Sequence, residues 1–305
     1  MALTNAQTHG AAKQRPLAGI VMRLIAALCI SLMIALVKLA ETRGVHIIES
    51  LFYRQIFALP FVLLLVMQGS GMDAVKTKRP VMHVWRTIVG MTGMVFNFWA
   101  VTLLPLAEAT ALSFTAPIIA TIFAIIFLKE VVGIHRWAAI ILSFFGVLII
   151  VQPGGGITAF GAFIAMCAAT FVASVSIIIR LLGQTESAAT TVFWFTVGSL
   201  PILLVLMVFY GQSHPLETWP ILFGIGLFGG VAQMALTQSL RLAPVSIILP
   251  IDYSSMIYAT IIGIIVWQAW PSPMTWIGAP IIILAGIYIA WREHKSSIAK
   301  ASTTA

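Results

Sequence analysis

The chain is written twice. Setting each residue beside the one 142 positions later places Gly19 on Gly161, Ala26 on Ala168, Ala27 on Ala169, Lys38 on Arg180 and Leu39 on Leu181. An offset of 141 aligns Phe52 with Phe193, Leu59 with Leu200 and Pro60 with Pro201, and sets Tyr53 opposite Trp194. An offset of 136 aligns Gly90 with Gly226, Gly93 with Gly229, Leu104 with Leu240, Leu106 with Leu242 and Ala107 with Ala243, and sets the amide of Asn97 opposite that of Gln233. Apolar helices share Gly, Ala and Leu cheaply, but these matches hold their order through three successive segments. The drift in offset is what changes in loop length produce. An odd number of membrane crossings per copy forces the second copy to enter from the opposite side, and inverted copies facing each other are a common build of alternating-access carriers.

The membrane enters through composition: 60% of residues are hydrophobic and 9% charged, against roughly 25% charged in an ordinary soluble domain. A hydrocarbon layer about 30 Å thick takes about 20 apolar residues per helix. Spans are therefore expected near 17–39, 47–68, 84–104, 106–128, 134–152, 158–182, 188–210, 218–240, 243–268 and 274–291. The predicted fold is an all-α polytopic membrane protein with ten transmembrane helices in two inverted five-helix repeats. Its expected divisions are a tail over 1–16, a first repeat over 17–152, a hinge over 153–157 around Gly154-Gly155-Gly156, a second repeat over 158–291 and a tail over 292–305. The first apolar segment is long, lacks a small-residue cleavage site and matches an internal helix, so it reads as a retained span.

The net charge of +8 is explained by topology and implies no nucleic-acid partner. With the N-terminus inside, Lys13, Arg15, Lys76, Lys78, Arg79, Arg86, Lys129, Arg136, Arg180, Arg241, Arg292, Lys295 and Lys300 all fall on the cytoplasmic side. Lys38 and Arg43 are the clear basic residues outside. The positive-inside rule then puts both termini in the cytoplasm. Cys29 and Cys167 lie singly in apolar segments and read as small apolar side chains rather than as a disulfide or metal site.

Charge inside a bilayer is costly unless paired or hydrated, so it marks candidate function. Arg54 falls within the second span and Asp252 within the ninth. A carboxylate there can exchange a proton, which makes Asp252 the candidate for proton coupling. Pro250 opens the helix ahead of it, and Tyr253, Ser254, Ser255 and Tyr258 add hydroxyls and aromatic faces. Asn97 and Trp99 on the third span and Gln233 and Gln238 on the eighth supply amides and a ring, with Asn97 and Gln233 at equivalent positions of the two copies. The candidate substrate contacts are thus Arg54, Asn97, Trp99, Gln233, Tyr253 and Tyr258. Trp194 is a further candidate stacking surface, whereas Trp137, Trp219, Trp270, Trp276 and Trp291 read as interfacial residues. Glu108, after Pro105, reads as a cap at a helix start. No phosphate-cradling loop, GxSxG, HExxH or Cys cluster is present, so no enzyme, metal or cofactor is expected.

The segments LLPLAEATALSFTAPIIATIFAIIFLKE (103–130) and HRWAAIILSFFGVLIIVQPGG (135–155) resemble the EamA-type drug/metabolite transporters, and the layout fits over 17–291. In that family the first half carries an arginine in its second helix, here Arg54, and a proline in its fourth, here Pro117, ahead of the pair here at Lys129-Glu130. The second half departs from the pattern, since Trp267-Gln268-Ala269 replaces the usual closing glutamate. The resemblance implies ten helices, a central cavity and carriage of small organic solutes across a bacterial inner membrane. The form LAEATALSFTAP is most similar to members that take up riboflavin and S-adenosylmethionine. Riboflavin uptake is the leading expectation, with amino-acid export or S-adenosylmethionine uptake as alternatives; a channel or a membrane scaffold is the competing class.

Overall fold

A computed structural model describes residues 16–68, 71, 75–128, 134–151, 157–242 and 249–303. The helices are α1 (Pro16–Thr42), α2 (Ile47–Gln68), α3 (Pro80–Leu103), α4 (Leu106–Ser113), α5 (Ala116–Leu128) and α6 (Ile134–Val151) in the first half. The second half holds α7 (Ala159–Leu182), α8 (Ala188–Tyr210), α9 (Trp219–Leu242), α10 (Ser254–Trp267) and α11 (Pro273–Thr303). Short 3-10 turns occupy Leu216–Thr218 and Leu249–Tyr253. No strand occurs among the described residues. Among the described residues, six stretches are long and apolar enough to cross a membrane, and three shorter apolar helices accompany them. Helices are the expected solution, because in hydrocarbon every backbone polar group must be satisfied within its own segment.

The helix ends follow local chemistry. After α1 the chain turns through Gly44 at φ +78°, a left-handed position that a residue without Cβ adopts freely. Gly44 N–H donates to Glu41 O at 2.9 Å and Val45 N–H to Ala40 O at 3.1 Å, which closes the helix. At the start of α2, Glu49 accepts the His46 N–H at 2.8 Å in the manner of a capping box. Thr158, Ser187 and Ser272 each accept an N–H three residues on, at 3.1 Å, and so open α7, α8 and α11.

The single span expected over 106–128 is broken. Helix α4 stops at Ser113, Phe114 and Thr115 form a turn, and α5 restarts at Ala116. Pro117 favours the break, since it donates no N–H to the preceding turn and its ring crowds it, although Pro60, Pro201 and Pro280 sit inside continuous helices. Thr115 Oγ1 donates to Leu112 O at 2.7 Å and satisfies one carbonyl at the break. The offset of 136 carries residues 114–115 onto 250–251, inside the Leu249–Tyr253 turn. The break ahead of α5 thus corresponds to the 3-10 turn ahead of α10. The two meet, with the Phe114 ring edge-on to Tyr253 at 4.9 Å.

The two halves interlock. Helix α1 lies along α9 and α3 along α7; α2 packs on α8 and α9, α3 on α8, α5 on α7, α10 on α1, and α6 on α11. Exchanging the halves turns the first contact into the second, exchanges α2–α9 with α3–α8 and α5–α7 with α10–α1, and leaves α2–α8 and α6–α11 as they are. Small residues permit the close approaches. A Cβ on Gly93 would stand 2.9 Å from the Phe171 Cβ, and one on Gly229 would stand 3.1 Å from Met33 Sδ and 3.3 Å from Arg54 Cγ. Phe98, Leu104, Leu106, Leu112, Leu222 and Ile225 fill the centre. Leu204, Val205, Val208 and Phe209 of α8 and Phe144 and Phe145 of α6 point outward, an apolar surface of the kind a membrane covers.

Candidate functional site

The strongest polar contact inside the bundle joins the two halves. Arg23 of α1 donates from Nε to Asp252 Oδ1 and from Nη2 to Asp252 Oδ2, both at 2.5 Å. Two parallel charge-assisted bonds of this kind fix orientation as well as energy. The Arg23 side chain is 6% exposed and that of Asp252 42%, so the acid faces open space while the base is enclosed. The Arg23 Nη1 is buried without a partner. Asp252 sits in the 3-10 turn that interrupts the ninth span, and its carbonyl accepts from Ser255 Oγ at 2.7 Å. The counter-charge of Asp252 is thus Arg23, a residue the sequence reading passed over. Its position in IVMRLIAALC, two turns from the helix start, resembles an interfacial flank. The usable signal was the repeat itself, because Arg23 falls opposite Ala165.

Arg54 of α2 lies instead against Gly229 of α9 and is linked to α8 through Gln55. Its Nη1 donates to Gln55 Oε1 at 2.6 Å, Gln55 Nε2 donates to Ser199 Oγ at 2.6 Å, and Ser199 Oγ donates to Thr196 O at 2.9 Å. A satisfied polar chain thereby sets the guanidinium's direction. Arg86, expected among the cytoplasmic charges, is drawn into the bundle. Its guanidinium carbon stands 4.1 Å from the centre of the Phe195 ring, a cation–π contact. Near the start of α3, Glu186 accepts from Thr77 Oγ1 at 2.8 Å and from the Lys78 N–H at 2.9 Å. Burial alone would raise the Glu186 carboxyl, but these two bonds, His83 and the Arg79 N–H outweigh it and hold it below its ordinary value.

At the opposite end, Lys38 Nζ donates to Val101 O at 2.7 Å and to Leu104 O, capping the last carbonyls of α3. It also stands 5.9 Å from the Trp267 ring centre. Lys38, Leu104 and Trp267, with Pro105, Leu106 and Gly263, line a cavity of about 280 Å³. Glu108 is a cap, but for another helix: its Oε1 accepts the Ser272 N–H at 2.9 Å and the Thr275 hydroxyl at 3.2 Å, at the start of α11. Glu49, fully buried, accepts from the Gln212 N–H at 2.9 Å and lies 2.8 Å from His214 Nε2. It therefore ties α2 to the α8–α9 connection.

The remaining candidates separate. Asn97 shares a stripe of α3 with Arg86, Gly90 and Gly93, turned toward α7 and α8. It is half-buried, as are Gln233, Gln238 and Tyr258, and their side chains have no hydrogen-bond partner among the described residues. Trp99 points elsewhere, edge-on to Phe160 at 5.5 Å in the α3–α7 contact, and is not brought to Asn97. Trp194 donates to Val75 O at 3.2 Å and stacks on His83. Tyr253 presses its hydroxyl against Gly286 of α11. Lys129 and Glu130 lie outside the described residues, as do Gly154, Gly155 and Gly156.

An apolar helical bundle with a helix break in one half facing a 3-10 turn in the other, and with ionised groups held between two duplicated halves, is the build of a multi-pass membrane transporter. The chain belongs to the EamA-like transporter family, whose model matches residues 17–152 and 159–292. It is similar to a riboflavin transporter of Vibrio cholerae serotype O1, 26% identical over 288 residues that cover 93% of this chain and 97% of the relative. It is also similar to an S-adenosylmethionine uptake transporter of Rickettsia prowazekii, 26% identical over 255 residues, or 84% of this chain and 86% of that one. One solved crystal structure shares the fold over 90% of this chain and 98% of its own, with a TM-score of 0.59 and 18% identity.

Proposed function

We propose that the protein is a secondary carrier that imports a small organic metabolite by alternating access, with riboflavin as the first substrate to test. Ten spans in two oppositely oriented five-helix units, set in a bacterial inner membrane with both termini cytoplasmic, form the frame. The observation that carries this reading is the broken helix of the first half meeting the corresponding 3-10 turn of the second, at Phe114 and Tyr253. Interrupted helices in corresponding positions of two halves are the best pointer to a transporter's binding site.

Arg54, Asn97, Gln233, Tyr253 and Tyr258 are the proposed substrate contacts. The free amides suit a flat ring edged with hydrogen-bonding groups, as in riboflavin. Trp99, seated in the α3–α7 packing, contributes by positioning α3. Asp252 couples protons through its partner: protonating the carboxylate removes the charge that holds Arg23, so the tie between halves loosens as the proton arrives. S-adenosylmethionine uptake is the second reading, supported by the unpaired arginines beside α8, which suit a substrate carboxylate. Export of amino acids is kept as the outcome that absence of uptake would favour.

Radiolabelled riboflavin uptake in a bacterial riboflavin auxotroph tests the reading, with unlabelled riboflavin, S-adenosylmethionine and amino acids as competitors. Saturable uptake blocked by riboflavin alone supports it. Absence of uptake by a correctly inserted protein refutes riboflavin import. Normal uptake by both Asp252→Asn and Asn97→Ala would refute the assigned site.

A further inference from the structure

We infer that Arg54 and Arg86 together form an anion subsite that takes one carboxylate or phosphoryl group of the transported solute; this rests on the carrier reading for the solute but not on riboflavin. Two guanidinium groups from the first half are tied to one stripe of α8, where Ser199 and Phe195 lie one turn apart. Arg54, packed against Gly229 of α9, is linked to Ser199 through Gln55, and Arg86 covers Phe195. Both have buried N–H donors with no acceptor: Nε of Arg54, and Nε and Nη1 of Arg86. Neither has a carboxylate partner among the described residues.

The neighbouring acids are committed elsewhere. Asp252 is taken by Arg23, and Glu186 by Thr77 and Lys78. Uncompensated buried cations are strongly unfavourable. Here they are nonetheless held in fixed directions, Arg54 by a closed hydrogen-bond chain and Arg86 by an aromatic face. Gly90 leaves room for the Arg86 head, since a Cβ there would strike Nη1 and stand 3.0 Å from Phe195 Cε2. Preorganised, unsatisfied guanidinium donors match the planar, multiply accepting edge of a carboxylate or phosphoryl group. The subsite also lies between halves, with its donors on α2 and α3 and its floor on α8. An anion seated there neutralises the charge that the two halves otherwise enclose.

Full-length protein in detergent is treated with phenylglyoxal, which modifies arginine, and the extents at Arg54 and Arg86 are read by peptide mass spectrometry with acetate, inorganic phosphate or neither. At an anion concentration ten times its Kd, modification of both residues is expected to slow about elevenfold. Arg86→Gln, scored only if it elutes as a monodisperse peak, is expected to abolish the protection of Arg54. Modification rates at Arg54 and Arg86 that ignore both anions in the wild-type protein would overturn the subsite, with no variant required. Protection by acetate alone identifies a carboxylate site, and protection by phosphate alone a phosphoryl site. Riboflavin uptake failing while anion protection holds removes riboflavin and leaves the subsite; the reverse result removes the subsite and leaves the carrier.

Discussion

Removing either partner of the Arg23–Asp252 pair will have unequal effects, and the inequality follows from burial. Asp252→Asn leaves a guanidinium whose side chain is 6% exposed without its charge partner, and one of its donors already lacks an acceptor. Stranding a buried charge costs about 3–5 kcal/mol. Arg23→Gln leaves a carboxylate that is 42% exposed and can be rehydrated, so the loss falls toward the value of a solvated pair, about 1 kcal/mol. The coupling itself is bounded by Coulomb's law: unit charges about 4 Å apart attract by about 4 kcal/mol at an effective dielectric of 20 and about 1 kcal/mol in water. A half-open pair belongs between these limits, at about 2 kcal/mol, or roughly thirtyfold in an equilibrium constant. Thermal unfolding of detergent-purified wild type, both single variants and the double variant supplies the full cycle. Asp252→Asn should lower Tm more than Arg23→Gln, and the double variant should be less damaged than the sum. A coupling below about 0.5 kcal/mol, or the opposite order of the singles, would refute the assignment of Arg23 as the enclosed partner.

Three further outcomes are expected. Glu108→Ala should destabilise by about 2–3 kcal/mol, because the buried Ser272 N–H and Thr275 hydroxyl lose their acceptor, whereas Glu108→Gln, which keeps an oxygen, should cost less; melting curves separate the two. Glu186 sits below its ordinary value of 4.5 when folded, so its contribution is fully present above that value and fades as pH falls through and below it. Glu186→Gln should flatten that part of the stability–pH curve between about pH 6 and about pH 3, and an unchanged slope would count against the Thr77–Lys78 contacts. Gly286→Ala drives a Cβ into the Tyr253 hydroxyl and to 3.0 Å from Cζ, costing about 1–3 kcal/mol of overpacking. Adding Tyr253→Phe should recover part of the lost Tm, and no recovery would place the clash elsewhere.

What could be read along the chain was whatever depends on local spacing. Apolar runs gave the helices, and the internal offsets gave the duplication. Pro117 was visible, but its consequence, a helix ending at Ser113 and restarting at Ala116, was not drawn, since hydropathy runs on unbroken across the turn. The charged contacts were hidden for a different reason. Arg23 and Asp252 are 229 residues apart in sequence, and Glu108 and Ser272 164; no periodicity links partners at such distances. The contact of Arg86 was hidden because the charge rule counts a basic residue near a helix start as a flank, while a long side chain is free to run up the helix and rest on Phe195. The amides of Asn97 and Gln233 were found by symmetry alone.

The interlocking of the halves bears on how such a chain can arise and be divided. Helix α1 finds its main neighbour in α9, and α3 in α7, so neither half encloses a core of its own. In packing terms the molecule is an obligate dimer whose subunits happen to be joined by one short link. Nothing in the packing described depends on that covalent link, only on both halves reaching the same membrane. One half made without the other is left with α1 and α3 bare along the faces that would have met their counterparts. Separate genes, or a single gene whose product inserted both ways, would have met the same packing requirement before any fusion joined them.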